Sequence, residues 1–401
     1  MALVKLLIVF ALIVVILKFK LPLYAAMGAA IVSTIVLYQL PFVGSLETLL
    51  HATIAKDTIE VVVVLYIITY LQRMLERRSL LVRAQRSLSG IFNNRRINAS
   101  LAPILIGLLP SGAAANLCGD IVDEATQDYY TPQQKSFVTS FFRHIPESFL
   151  PTYTTIILGC EWAGISMSSF ILSMIPMVAA MYFLGWLFYL RKLPRETGEN
   201  MEGGRLHYVL ELFKSLWSLF LIILLILVLD MNIVVALAIG IALALIVYRF
   251  SWKEIREMVP SAFEPNMLLN TYLAMLFKYI LTATGVLEAL PGYFAVLPIP
   301  TWLTFALLVF FASLVGGGTA ILAISIPLAF STIPGAGVPL LMLILSYEYA
   351  AMQVSPTHVC LSIVCDHFKI SLGELIKESI PVVACFCVIA AGYYMVLTLF
   401  V

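Results

Sequence analysis

The chain has 401 residues, of which 61% are hydrophobic and 12% charged, with a formal net charge of +1. Its mean hydropathy is +1.00. That composition excludes a soluble multidomain protein, because no soluble core hides so much apolar surface, and predicts an all-α polytopic membrane protein. The balanced charge offers nothing to nucleic acid. Cys118, Cys160, Cys360, Cys365, Cys385 and Cys387 all sit in apolar stretches and show neither a disulfide framework nor metal-ligand spacing, so no metal is expected.

Taken in chain order, plain spans are predicted over 3–17, 21–40, 58–75, 168–190, 208–229, 232–248, 266–283 and 375–401. The first run flows into the second without a small-residue cleavage pattern, so it reads as a span and not as a removed signal. Two further zones are apolar but interrupted: 101–124 with 133–160, and 302–330 with 338–365. Interrupted segments at matching places in two halves point to a transporter site. Arginines 77, 78, 83, 86, 95 and 96, the basic residues at 191–205 and those at 249–256 predict the cytoplasmic side, with 41–57 outside. The expected location is the inner (cytoplasmic) membrane, multi-pass, with both termini outside.

Sliding the chain against itself by 205 positions reveals a repeat. Pro151-Thr152 falls on Pro356-Thr357, Cys160 on Cys365, Ile165-Ser166 on Ile370-Ser371 and Ile175-Pro176 on Ile380-Pro381. With Val178/Val383 and Ala179/Ala384 this makes nine identities in 29 positions, where biased composition alone gives about three. The same shift places Ser111-Gly112-Ala113 on Gly316-Gly317-Gly318, and Arg143 on Glu348. The expected organisation is inverted repeat 1 over 1–195, with a hairpin at 99–125 and a broken span at 133–163, then a cytoplasmic linker over 196–207. Inverted repeat 2 follows over 208–401, with a hairpin at 300–330 and a broken span at 338–364. Each repeat reads as three plain spans, a re-entrant hairpin, a broken span and a final span.

Non-helical backbone in lipid leaves unpaired amides and survives only where it is covered by protein or lines a cavity. The hairpin tips, around 110–116 and 315–319, are rich in small residues that let backbone approach a ligand. Proline accounts for the breaks near Pro151 and Pro356. Candidate substrate- and ion-binding residues are therefore Ser111, Gly112, Ala113, Asn116, Thr152, Tyr153, Gly316, Gly317, Gly318, Thr319, Ser355, Pro356, Thr357 and His358. Free amides at half-helix amino ends favour a carboxylate, and freed carbonyls favour a cation. Asn116, Asp120 and Asp123 form a polar stripe at helical spacing. Arg143, His144 and Glu147 precede the first break, as a local Arg143–Glu147 pair or a proton relay. Asp120 and Glu147 are the proton-coupling candidates. Side-chain oxygens at the two tips do not match, which favours protons over sodium, with Asp120 preferred. His358 stands where Tyr153 stands in the first repeat, and Glu348 in register with Arg143 suggests an ion pair across the repeat interface.

Paired hairpin tips and paired Pro-Thr breaks in inverted halves resemble the ion transporter superfamily. Ser-Gly-Ala-Ala-Ala-Asn at 111–116 and Ser-Pro-Thr-His at 355–358 look most like the DUF401 membrane proteins. The resemblance implies a homodimer in which hairpins and broken spans move as an elevator against a fixed scaffold. Gly-x-Ser-x-Gly, His-Glu-x-x-His and Gly-x-x-x-x-Gly-Lys-Ser/Thr motifs are all absent, so neither an enzyme nor an ATP-driven pump is expected. The expectation is an ion-coupled secondary transporter of a small organic anion with no cofactor beyond a sodium ion or proton. The alternative is a cation/proton antiporter using Asp120 and Glu147.

Overall fold

The computed structural model describes residues 2–19, 21–92, 94–108, 113–195, 204–229, 231–286, 298–316, 318–355 and 358–399. Among the described residues the regular elements are helical. The first half runs through α1 (Ala2–Lys18), α2 (Leu23–Tyr38), α3 (Phe42–Ile54), α4 (Lys56–Arg77), α5 (Leu80–Phe92), α6 (Arg95–Ile106), α7 (Ala113–Thr126), α8 (Pro132–His144), α9 (Thr154–Ala163) and α10 (Met167–Phe188). The second half runs through α11 (Arg205–Leu229), α12 (Ile233–Val247), α13 (Trp252–Ser261), α14 (Pro265–Ala283), α15 (Thr301–Gly316), α16 (Gly318–Thr332), α17 (Gly337–Met352), α18 (Val359–Phe368) and α19 (Leu372–Leu397). By length and composition α4, α10, α11 and α19 can cross a membrane, and shorter apolar helices fill the spaces between them.

Helix starts recur at one spacing: 318 − 113, 337 − 132, 359 − 154 and 372 − 167 are each 205. Local chemistry accounts for part of this. After α9, Gly164 turns left-handed at φ 66° and the Ile165 amide returns to the Cys160 carbonyl; Ser166 then caps α10. After α18, Lys369 turns left-handed at φ 55° and the Ile370 amide returns to the Cys365 carbonyl; Ser371 then caps α19 with Glu374 in a capping box. Cysteine, isoleucine and serine thus recur because they build one helix-stop, helix-start corner twice.

Packing crosses between the halves. Helix α7 lies on α18, and α16 on α9; α8 lies on α19, and α17 on α10. Likewise α4 contacts α12 and α13, while α14 contacts α2 and α3. Most buried apolar side chains join one continuous core. Close approach is built in at Gly119 of α7, where a Cβ would press into the His367 ring, and at Gly185 of α10, where it would press into Phe142.

Three segments expected as connections are helices. Helix α3 occupies 42–54 and exposes Phe42, Val43, Leu50 and Ile54, while α13 occupies 252–261. Helix α5 packs along α11, although its arginines mark a cytoplasmic loop in the sequence. Amphipathic helices with a charged face do not register as apolar spans. Helix α11 begins at Arg205, inside the expected 196–207 linker.

Candidate functional site

The site grows out of two interrupted helices. A capping box between Thr131 and Gln134, with Pro132 in the first turn, starts α8. The helix ends at His144. Pro146 has no amide to continue it, and the chain tightens into a 3-10 turn, Ile145–Ser148, before helix resumes at Thr154. The N-cap of α9 is Tyr153, whose side chain makes no cap bond. Its hydroxyl instead donates to the Gly107 carbonyl at 2.5 Å, while the Thr152 hydroxyl donates to the Leu108 carbonyl at 3.3 Å. The first break is thereby tied to the end of α6. In the second half α17 stops at Met352 and α18 begins at Val359. The Ser355 hydroxyl donates to the Leu314 carbonyl at 2.9 Å, tying that break to the end of α15.

Between the breaks lies a buried charged cluster. Arg143 is 1% exposed and His144 fully buried. Arg143 Nη1 stands 3.6 Å from Glu147 Oε1 and donates to His144 Nε2 at 3.0 Å. His144 Nδ1 is 2.6 Å from the Ser140 carbonyl, which fixes the ring proton on Nδ1 and leaves Nε2 as acceptor. His358 Nε2, from the other half, lies 3.1 Å from His144 Nε2. His144, His358 and Cys360 hold their donor atoms within 4.8 Å of one another. Arg143, however, donates into the lone pair that a metal would take, so the arrangement suits hydrogen bonding and not coordination.

Glu348, on α17, is 3% exposed, and its Oε1 has no hydrogen-bond partner among the described residues. No ion pair joins it to Arg143 among those residues; the pair that forms is the local Arg143–Glu147 contact, one helical turn long. Glu348 Oε1 is directed at Gly318, where any Cβ would overlap it. At the equivalent place in the first half stands Ala113.

A cavity of about 310 Å³ opens beside the first break, lined by Thr69, Gln72 and Arg73 of α4, by Glu264, and by Thr152, Tyr153 and Thr154. Arg73 Nη2 holds Glu264 Oε1 at 2.5 Å on its wall. The cavity therefore joins the plain helices of both halves to the amino end of α9, which favours negative charge.

Of the sequence-derived candidates, Thr152, Tyr153, Ser355 and His358 flank the breaks, and Thr319 lies half-buried in the first turn of α16. Ser111, Gly112, Gly317, Pro356 and Thr357 lie outside the described residues. Ala113 and Asn116 fall in α7 and Gly316 closes α15, but their surroundings are likewise outside the description. Asp120 stands apart from the cluster: its side chain is 73% exposed, 3.7 Å from His367. Glu147 is inside it, at 10% exposure. Residues the motif search left out of the site are Glu348, Tyr349, Gln353 and Cys360. The 205 register was the signal for three of them, since it maps Arg143, His144 and Ser148 onto Glu348, Tyr349 and Gln353.

Four helices long and apolar enough to cross a membrane, two helix breaks and a buried polar cluster between them make this a helical membrane protein. The chain belongs to the family described as protein of unknown function (DUF401), whose model matches residues 2–397. In fold it is similar to the YdaH transporter of Alcanivorax borkumensis, with a TM-score of 0.63 at 15% identity, over 88% of this chain and 87% of that one. No curated protein matches the sequence.

Proposed function

We propose that the protein is a secondary active transporter that carries a small organic anion of the carboxylate class across the inner membrane, coupled to an ion gradient. The observation that carries this reading is the convergence of two broken helices from opposite halves on one buried cluster, Arg143, His144, Glu147 and His358. Intramembrane ionisable groups are costly and are kept for function. The likeness in fold to a transporter supports the reading. Amide-rich amino ends of α9, α16 and α18 supply partial positive charge for a carboxylate.

The repeated 205 spacing and the crossed packing of the halves favour two inverted repeats. Hairpins and broken spans then form the moving part of an elevator within a homodimer. The exchange of contacts between halves also favours a substrate held where the breaks meet. A second reading, cation/proton antiport, is favoured by the burial of Glu147.

A thermal-shift screen of the purified protein across small carboxylates, with and without sodium, tests the substrate class. A carboxylate that raises the unfolding midpoint supports anion transport, while stabilisation by cations alone favours antiport. Orientation is tested by cysteine labelling at Asn94 and Ser45 with an impermeant reagent. Outside labelling is expected at Ser45 only, and labelling of Asn94 from outside removes the inverted-repeat reading.

A further inference from the structure

Residues 289–365 contain one formally charged side chain, Glu348. It sits in the last third of α17, one turn before Met352, 3% exposed, in a helix whose residues from Pro339 to Ala351 are buried throughout. Of the elements packed against α17, helices α10, α15 and α16 contain no Asp, Glu, Lys, Arg or His. Helix α19 carries Glu374, Lys377 and Glu378 in its first two turns, where Glu374 bonds Ser371 and Gln133 and Glu378 accepts from Tyr189. Helix α9 carries Glu161 in its last turn, beside Cys160. The 3-10 turn that packs against α17 carries Glu147. On its own helix the titratable neighbours are Tyr347, whose hydroxyl donates to the Cys387 carbonyl, and Tyr349. Among the described residues Glu348 forms no ion pair, while Glu147 of the 3-10 turn is paired with Arg143 at 3.6 Å.

We infer that Glu348 carries the coupling proton of this protein, binding and releasing it at Oε1 against Gly318, at the start of α16. The inference rests on the transporter reading for its consequence, but its chemistry stands on the site. A lone ionised carboxylate in an apolar bundle costs far more than a protonated one. Oε1 has no hydrogen-bond partner and faces Gly318 so closely that a methyl group would overlap it. A proton needs one oxygen and no added volume, whereas a sodium ion needs several oxygen ligands, and no hydrogen-bond partner stands at Oε1 among the described residues. The step balances as carboxylate plus hydronium giving carboxylic acid plus water. An O–H bond forms at Oε1 and the charge of α17 is cancelled. Glycine at 318 lets the carboxyl reach the amino end of α16, where partial positive charge holds the ionised form between releases. Motion of the second hairpin relative to α17 changes that contact, which ties proton exchange to the moving part.

Protonation is read on the resting protein, without substrate, by infrared difference spectroscopy of the full chain in lipid nanodiscs across a pH series in H2O and D2O. The wild type is expected to show a protonated-carboxyl C=O band that shifts in D2O and fades on alkalisation. Glu348→Gln is expected to lose it, and Glu147→Gln to keep it. In Gly318→Ala the band is expected to move, since the new methyl lands on Oε1. A band that survives Glu348→Gln, disappears in Glu147→Gln, or stays unmoved in Gly318→Ala overturns the inference. So does a wild type with no such band. A carboxylate that binds a protein lacking this band would leave the transporter reading intact and refute the proton assignment alone.

Discussion

At the first break Arg143 lies within 4 Å of Glu147 and bonds His144, so the cation of the cluster is answered by an anion four residues on. At the second break the residue in register is Glu348, and the residue in register with Glu147 is Met352. The backbone corner beyond each break is the same, with a left-handed stop, a returning isoleucine amide and a serine cap. Backbone geometry thus agrees between the two halves while charge differs. Gly318 is needed where the glutamate leans on the start of α16.

The sharpest way to break that contrast is Arg143→Met. Glu147 is then buried without its partner, and such a change costs roughly 3–5 kcal/mol. Thermal unfolding in detergent should show a large drop, and adding Glu147→Leu should recover most of it. A single variant as stable as wild type would mean the local pair does not hold the first break. Next in size is Gly107→Ala. Its Cβ would collide with the Arg143 backbone carbonyl, which cannot swing aside, so a loss of about 1–3 kcal/mol is expected. Gly318→Ala meets the end of a side chain instead and should lose less; the reverse ranking of the two glycines would contradict the packing described here. Tyr153→Phe removes one bond to the Gly107 carbonyl and should cost about 1 kcal/mol by the same measurement.

The smallest effect lies away from the breaks, at Glu254. Hydrogen bonds from Arg78, and then from the Ser251 backbone and hydroxyl, lower its pKa from about 4.5 to about 2. Because the folded value is depressed, the stabilisation is complete above the ordinary value near 4.5 and is lost as pH falls toward 2. Unfolding midpoints measured over that window should fall less steeply in Glu254→Gln than in the wild type.

Helical class was legible from composition, since few alternatives bury 61% hydrophobic residues. The breaks were legible near Pro151 and Pro356, because proline acts through the local backbone. Side-chain direction was not legible. Asp120 and Glu147 both stood beside apolar sequence, yet one is exposed and the other buried, and helical spacing fixes a stripe without saying what faces it. Helices α5 and α13 escaped a search for apolar runs because their charged faces dilute the signal, and α3, at 13 residues, because it is shorter than a span. The burial of Glu348 needed the packed structure, since sequence spacing did not show that helices without charged side chains surround most of α17.

Arg78 has a consequence for how the chain is made. Its guanidinium donates to the Tyr248 and Arg249 carbonyls, grips both oxygens of Glu254 and lies 3.9 Å from the centre of the Phe250 ring. Arg77 and Arg73 reach Glu257 and Glu264 beside it. All these partners are separated by 170 to 191 residues of sequence. During synthesis the end of α4 emerges long before anything exists to receive it, and its arginines wait in solvent until the second half arrives. The last turn of α4 therefore locks only when nearly two-thirds of the polypeptide is in place: in a chain truncated before residue 248 Arg73 would keep Glu76 on its own helix, while Arg77 and Arg78 would lack their glutamate partners.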